Sequence, residues 1–353
     1  MIWDYFITVV DTMDRKVPRY DNKLSQLENQ LKELHGKGKQ EIRIRIEQVK
    51  EELRKSYEQE VKDDMPRALI TYLLDDTTVW WFREELPRKE DARTEVYMPI
   101  AQTLIIDEPG KFCDGLDFRP DFSRLPSSDW FAFQVDFELL TPWYSKDDRL
   151  FHLLDNPVRK DRVFGVPFMA ASSWKGMLRW ACRMQAGLRE HLERHNGKLD
   201  GWRDPDWILH LFGNVKGEGE EFSQGGLVFY PTWFNKIGFE VINPHSRERR
   251  AGTQPIYYEV VPPGAKGRLS LLYAPWPGMK PKAKAEEVLP KLLAAIEALL
   301  TTYGISAKRT AGWGTAEITK WRAFHKIGGY VEKDDCAALW REVQNWLSRR
   351  GTS

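Results

Sequence analysis

Residues 153–179 read LLDNPVRKDRVFGVPFMAASSWKGMLR. An acidic-then-basic loop, Asp155 to Asp161, leads into a helix start at Ala171–Arg179. A small-residue turn that opens a helix leaves backbone N–H groups without intrahelical partners and turns the positive end of the helix dipole outward. Ser172 or Ser173 is the expected N-cap. Lys175 and Arg179 lie four apart and share one helix face. Together they make a cradle for phosphates, with a single carboxylate, Asp155, close by in sequence.

On the N-terminal side of this stretch, WFAFQVDFELL (130–140) alternates as a half-buried strand does. Residues 108–128, rich in Pro, Gly, Asp and Ser, read as a loop or linker. Before that, ALITYLL, TTVWWF and EVYMPIAQTLIID predict strands with at least one helix among them, and residues 2–10 read as a strand or short helix. Leu24, Leu27, Leu31 and Leu34, then Ile42, Ile46, Val49 and Leu53, follow 3–4 spacing on either side of His35–Gly38. That spacing predicts a helical hairpin over 22–63, either an insertion reaching a neighbouring subunit or a decoration on its own domain.

On the C-terminal side, Met177, Leu178, Ala181, Cys182, Leu188 and Leu192 give the helix an inner face. Leu211-Phe212-Gly213, a Gly/Glu-rich loop, and the strand LVFYPTWF (227–234) come next. A basic loop with His245, Arg247, Arg249 and Arg250 leads into two strands within 253–275. A helix over about 285–303 precedes the glycine-rich run Lys308-Arg309-Thr-Ala-Gly312-Trp313-Gly314, and the last thirty residues read as a capping helix.

An aspartate with Pro-Val two positions on (Asp155-Asn156-Pro157-Val158), the charged run Arg159-Lys160-Asp161, Pro167, and Ser172-Ser173-Trp174-Lys175-Gly176-Met177-Leu178-Arg179 resemble the RAMP superfamily of CRISPR effector proteins. The likeness is greatest to the backbone subunits of type III RNA-targeting complexes. The later Leu-Phe-Gly, glycine-led strand and Gly-aromatic-Gly loop fall in the family's order, so the resemblance spans about 130–320. Ala171 stands where the family usually has Gly, Trp174 where Leu is typical, and no glycine-rich run precedes Asp155.

The resemblance implies an α+β protein with a modified ferredoxin-like (RRM-type) core, whose sheet and flanking loops suit single-stranded RNA. It divides the chain into an N-terminal elaboration (1–128), a RAMP core (129–322) and a C-terminal capping helix (323–353). It also implies a crRNA-binding endoribonuclease subunit that cuts guide-paired target RNA, with Asp155 catalytic and a divalent ion, Mg²⁺ or Mn²⁺, held by ligands the sequence does not name. Asp155 capping a turn before Pro157 is the alternative, and Asp147, Asp148 and Asp161 are reserve candidates. Ser172, Ser173, Lys175 and Arg179 go to the guide backbone, with Arg159 and Lys160 beside them. His245, Arg247 and Arg249 belong to a candidate thumb, and Lys308, Arg309 and Trp313 to the late loop. The expected partners are crRNA, target RNA, and other RAMP-type and large subunits. A non-catalytic capping subunit and a precursor-crRNA processing ribonuclease are the alternatives.

Composition bounds these readings. A net charge of +1 argues against binding nucleic acid through bulk charge and asks for a local basic strip instead. Fifteen tryptophans suit a core first and interfaces or base stacking second. Cys113, Cys182 and Cys336 are too far apart for a disulfide framework or zinc spacing. No apolar run approaches a membrane span and the polar N-terminus does not read as a signal peptide, so a cytoplasmic protein is expected.

Overall fold

The computed structural model describes residues 26–32, 37–64, 94, 98–103, 105–106, 108–113, 116–148, 154–161, 164–214, 223–243, 255–279 and 283–349. The expected element at 2–10, the runs ALITYLL and TTVWWF, and the loop with His245, Arg247 and Arg249 lie outside the described residues.

Residues 26–32 are helical and meet helix α1 (Lys37–Asp64) through Leu27, Ile46 and Val49, with Leu31 and Ile42 packed alongside. These are side chains of the 3–4 spacing read in the sequence. Helix α2 (Met98–Thr103) is followed by two short paired strands, β1 (Lys111–Cys113) and β2 (Leu116–Asp117). The central strand, β3 (Phe131–Leu139), is rich in aromatic and β-branched side chains, as strands prefer. Strand β4 (Phe168–Met169) leads into helix α3 (Ala171–Gln185), then α4 (Leu188–Arg194) and α5 (Asp206–Phe212). Strands β5 (Leu227–Phe229), β6 (Thr232–Trp233), β7 (Gly238–Ile242), β8 (Ile256–Val260) and β9 (Lys266–Tyr273) follow. Helix α6 (Ala285–Ala298), a π-helical turn at Leu299–Tyr303, strands β10 (Ala316–His325) and β11 (Gly329–Lys333), and helix α7 (Cys336–Arg349) complete the described chain.

The main sheet runs β11-β10-β3-β9-β5, every neighbouring pair antiparallel. Helices and strands are thus mixed around an antiparallel sheet, an α+β arrangement. Phe131, Phe133, Val135, Phe137 and Leu139 point to one face, where Trp174 and Leu178 of α3, Leu292 and Ile296 of α6, and Leu339 and Val343 of α7 close the core. Trp143, Trp174 and Trp321 are among the largest fully buried side chains, so part of the tryptophan surplus is core.

The opposite face departs from expectation. Half of it is covered, because Phe122 and Leu125 of the supposed linker pack on Ala132 and Leu272. The other half is ionic: Asp136 accepts from Arg268 and Arg322, and Arg322 also reaches Glu332. The 108–128 segment is therefore a cover on the sheet, and β3 is buried on both faces along most of its length.

Three local expectations are also corrected. The helix expected to continue through Leu192 breaks at Gly187, which adopts a left-handed φ of 95°, and restarts as α4. LVFYPTWF divides into β5 and β6 around Tyr230-Pro231, since proline cannot donate to a ladder. Strand β7, not foreseen, pairs with β8 as a separate two-stranded ribbon.

Candidate nucleic-acid interface

The site forms where α3 begins. Its N-cap is Ala170, one position before the helix and two before the first of the expected serines, and it makes no side-chain cap bond. No acidic side chain occupies the first turn. The uncapped amide end and its dipole therefore face outward, with the Ser172 side chain exposed and Ser173 partly so. Ala170 and Phe168 hang from β4, which pairs with β6 through Phe168 and Trp233. Trp174 fills the core beneath, donates Nε1–H to Thr232 Oγ1 at 2.9 Å, and meets Phe137 edge-on.

A groove of about 410 Å³ opens over this helix end. Arg159 from the charged loop, Ser145, Ser172 and Ser173 line it, with Gly176 and Trp180 one and two turns along α3 and Arg309 from the glycine-rich loop. The Arg159 guanidinium lies 5.8 Å over the Phe168 ring and that of Arg309 lies 4.5 Å over Trp180. Arg309 Nη1 is buried without a hydrogen-bond partner. A Cβ at Gly176 would meet nothing within 4 Å. Glycine weakens a helix interior by about 0.5–1 kcal/mol relative to alanine, and no contact with the described residues calls for it here. The glycines of the late loop serve the chain itself: a Cβ on Gly314 would lie 2.3 Å from the Ser306 nitrogen, so that glycine closes the loop.

The stretch that carries Asp155 is fixed between two partners. On one side Asp147 N–H donates to Pro157 O (3.1 Å), Arg159 N–H to Ser145 O (2.7 Å) and Lys160 N–H to Asp147 Oδ2 (3.3 Å). On the other, Glu259 N–H donates to Asn156 O (3.0 Å), Asn156 Nδ2 to Tyr257 O (3.1 Å), and Val158 N–H to Glu259 Oε2 (3.0 Å). Asp155 is exposed at the open end of this run. The other face of the β7–β8 ribbon packs on Tyr144 and Trp313 through Tyr258, and Lys308 Nζ sits 4.7 Å over the Tyr258 ring. The ribbon is held between the Asp155 stretch and the glycine-rich loop.

Arg159, Ser172, Ser173 and Arg309, separate in sequence, therefore line one groove, and Lys175 stands exposed on the same helix. One expectation, at Lys160, is corrected, and the other residues lie as follows. Lys160, expected on RNA, is wholly inside and ion-paired with Glu259, so it presents no surface to a strand. Arg179 is tied to Asp204 at 2.6–2.8 Å, sharing that carboxylate with Arg183; its side chain is 14% exposed. Trp313 lies against the ribbon instead of in the groove. Asp147 and Asp161 accept main-chain N–H groups of Lys160 and Phe164, which makes them structural anchors.

Burial alone would raise the Asp204 pKa, but hydrogen bonds from Arg183, Trp202 and Arg179 outweigh it and hold the carboxyl below its ordinary range. Two guanidinium groups against one carboxylate leave a net positive charge on this flank of α3. Burial pushes the Cys182 thiol up, in keeping with the inner position read from the sequence.

The model of the RAMP superfamily matches residues 136–317, just over half of the 353-residue chain, and that span contains the last four residues of β3, the Asp155 stretch, α3 and the glycine-rich loop. This chain belongs to the RAMP superfamily. No curated protein matches the sequence. Among solved structures, the Type III-B Cmr-beta complex bound to cognate target RNA is similar at 17% identity and a TM-score of 0.37, over 56% of this chain and 62% of that one. The Csm3–Csm4 subcomplex of the type III-A CRISPR–Cas interference complex is similar at 18% identity and a TM-score of 0.36, over 63% of this chain and 98% of that one. This RAMP chain spans less than two thirds of the Cmr-beta chain.

No group of three His, Cys, Asp or Glu side chains among the described residues is placed to hold a metal.

Proposed function

We propose that this RAMP protein is a crRNA-gripping backbone subunit of a type III CRISPR ribonucleoprotein, assembled with other RAMP-type and large subunits. In that assembly it cuts guide-paired target RNA through Asp155. The observation that carries the reading is the groove at the start of α3, where Arg159, Ser172, Ser173 and Arg309 converge on an uncapped helix end beside an exposed glycine. Amide, hydroxyl and guanidinium donors of this kind bind phosphates and carry no base readout, which suits a protein that must accept any guide. Support for a ferredoxin-like core comes from the succession β3-α3-β5-β9-α6-β10 with sheet order β10-β3-β9-β5.

The cleavage step asks for little machinery. The Asp155 carboxylate accepts the proton of a ribose 2′-hydroxyl, the 2′-oxygen attacks the adjacent phosphorus, and the bond from phosphorus to the 5′-oxygen breaks; the leaving oxygen takes a proton from water, and Asp155 then returns its own proton to solvent. The products are a 2′,3′-cyclic phosphate and a 5′-hydroxyl end, and DNA is spared. Cutting requires Mg²⁺ or Mn²⁺ in this reading.

The test is target-RNA cleavage by the reconstituted, crRNA-loaded complex with Mg²⁺ or Mn²⁺, wild type against Asp155→Ala. Loss of specific cuts with RNA still bound is the expected result. Unchanged cuts would leave a structural, capping subunit, and metal-independent cutting of precursor guide would favour the processing enzyme.

A further inference from the structure

Lys160 and Glu259 are 99 positions apart, and both side chains have no exposed surface. A buried ion pair is a poor choice for stability alone, because two charges must leave water and an apolar pair of similar volume is often as stable. What this pair does here is geometric. Glu259 Oε1 holds the Lys160 ammonium, while Oε2 takes the Val158 N–H and the Glu259 main-chain N–H donates to Asn156 O. Alternate residues 156, 158 and 160 are thus pinned to one residue of β8. Leu154 is buried on the other side of Asp155, and Asn156 Nδ2 bonds Tyr257 O. Asp155 is the first exposed side chain beyond the pinned run.

We infer that Glu259, paired with Lys160, is a positioning residue that sets the location and direction of Asp155 relative to the β7–β8 ribbon. The inference rests on the proposed cleavage by Asp155. It assigns Lys160 a role inside the protein where the sequence suggested one on RNA. A general base displaced by about 1 Å loses roughly 100-fold in rate while ground-state binding is untouched. The pair therefore acts on the chemical step and leaves affinity alone.

The experiment compares single-turnover cleavage rate and target affinity in the crRNA-loaded complex for Lys160→Met/Glu259→Leu, Glu259→Asp, Lys160→Met/Glu259→Gln and Asp155→Ala. The Met/Leu variant removes both charges together, so the fold is kept while the Val158 anchor is removed; its rate should fall about 100-fold at wild-type target affinity. Glu259→Asp keeps the ion pair but shortens its reach, and should slow cleavage at least about tenfold; it decides the matter if the first variant does not assemble. The Met/Gln variant restores an acceptor for Val158 and should recover most of the rate. Wild-type rates in folded, RNA-bound Met/Leu or Asp variants would overturn the inference and leave a purely structural pair. Wild-type cleavage by Asp155→Ala would instead overturn the reading of Asp155 itself, and the inference with it.

Discussion

Gly176 sits in the second turn of α3, on the exposed side, where an added Cβ would touch nothing within 4 Å. Replacing it with alanine removes the backbone entropy cost of a helical glycine, so Gly176→Ala should stabilise the protein by about 0.5–1 kcal/mol. In a chain of this size that is an increase in Tm of about 1–3 °C. Gly176→Glu tests the outside of the same position. Glutamate is nearly as good a helix former as alanine, so the protein should fold as well as wild type. Its carboxylate, however, would stand in the groove next to a phosphate. Repulsion between unit charges about 4 Å apart is about 1 kcal/mol even with water-like screening, so guide-RNA affinity should fall at least about fivefold. The assays are thermal unfolding of the free protein and guide-RNA titration at fixed salt. A glutamate variant that is stable and binds RNA as wild type does would refute the claim that a strand lies over this face. A destabilised alanine variant would refute the argument that no internal contact requires the glycine.

Two further outcomes follow from the same packing. Trp174→Leu installs the residue common in the family but leaves a void beside Phe137 and removes the Thr232 hydrogen bond, so it should cost about 2–4 kcal/mol in denaturant unfolding. Asp204→Asn leaves Arg179 and Arg183 without their shared carboxylate and should cost about 2–3 kcal/mol at neutral pH. The folded pKa of Asp204 is depressed, so its stabilisation is complete above the unfolded value of about 3.9 and fades as pH falls through the folded one. The asparagine variant should therefore lose less stability than wild type on acidification below about pH 4.

Much of the core could be read from the chain because its signals are local. The alternation of β3, the 3–4 spacing around Leu27 and Ile46, and the positions of β8, β9 and α6 are each set by neighbours in sequence. What escaped depends on partners far along the chain. Nothing near Lys160 announces that Glu259 will bury it, and nothing near Arg179 announces Asp204. The 108–128 segment looked like a linker because its Pro, Gly and Asp content hides the two apolar side chains, Phe122 and Leu125, that seat it on the sheet. The groove was half legible: its residues were picked out by type and spacing, but their meeting depends on β4 and on the fold of the glycine-rich loop. The break at Gly187 had a visible signal, since a glycine ending an amphipathic stretch commonly adopts a left-handed conformation.

In the proposed function the groove at the start of α3 holds an RNA backbone through charge. The measurement that tests it most directly is guide-RNA affinity as a function of salt, wild type against the Arg159→Ala/Arg309→Ala variant. Each arginine–phosphate pairing removed should reduce the slope of log affinity against log salt by about 0.7 for a single strand. The account predicts a slope smaller by about 1.4 for the double variant, with weaker binding of unrelated guide sequences to the same extent. An unchanged slope and affinity in the folded variant would contradict it.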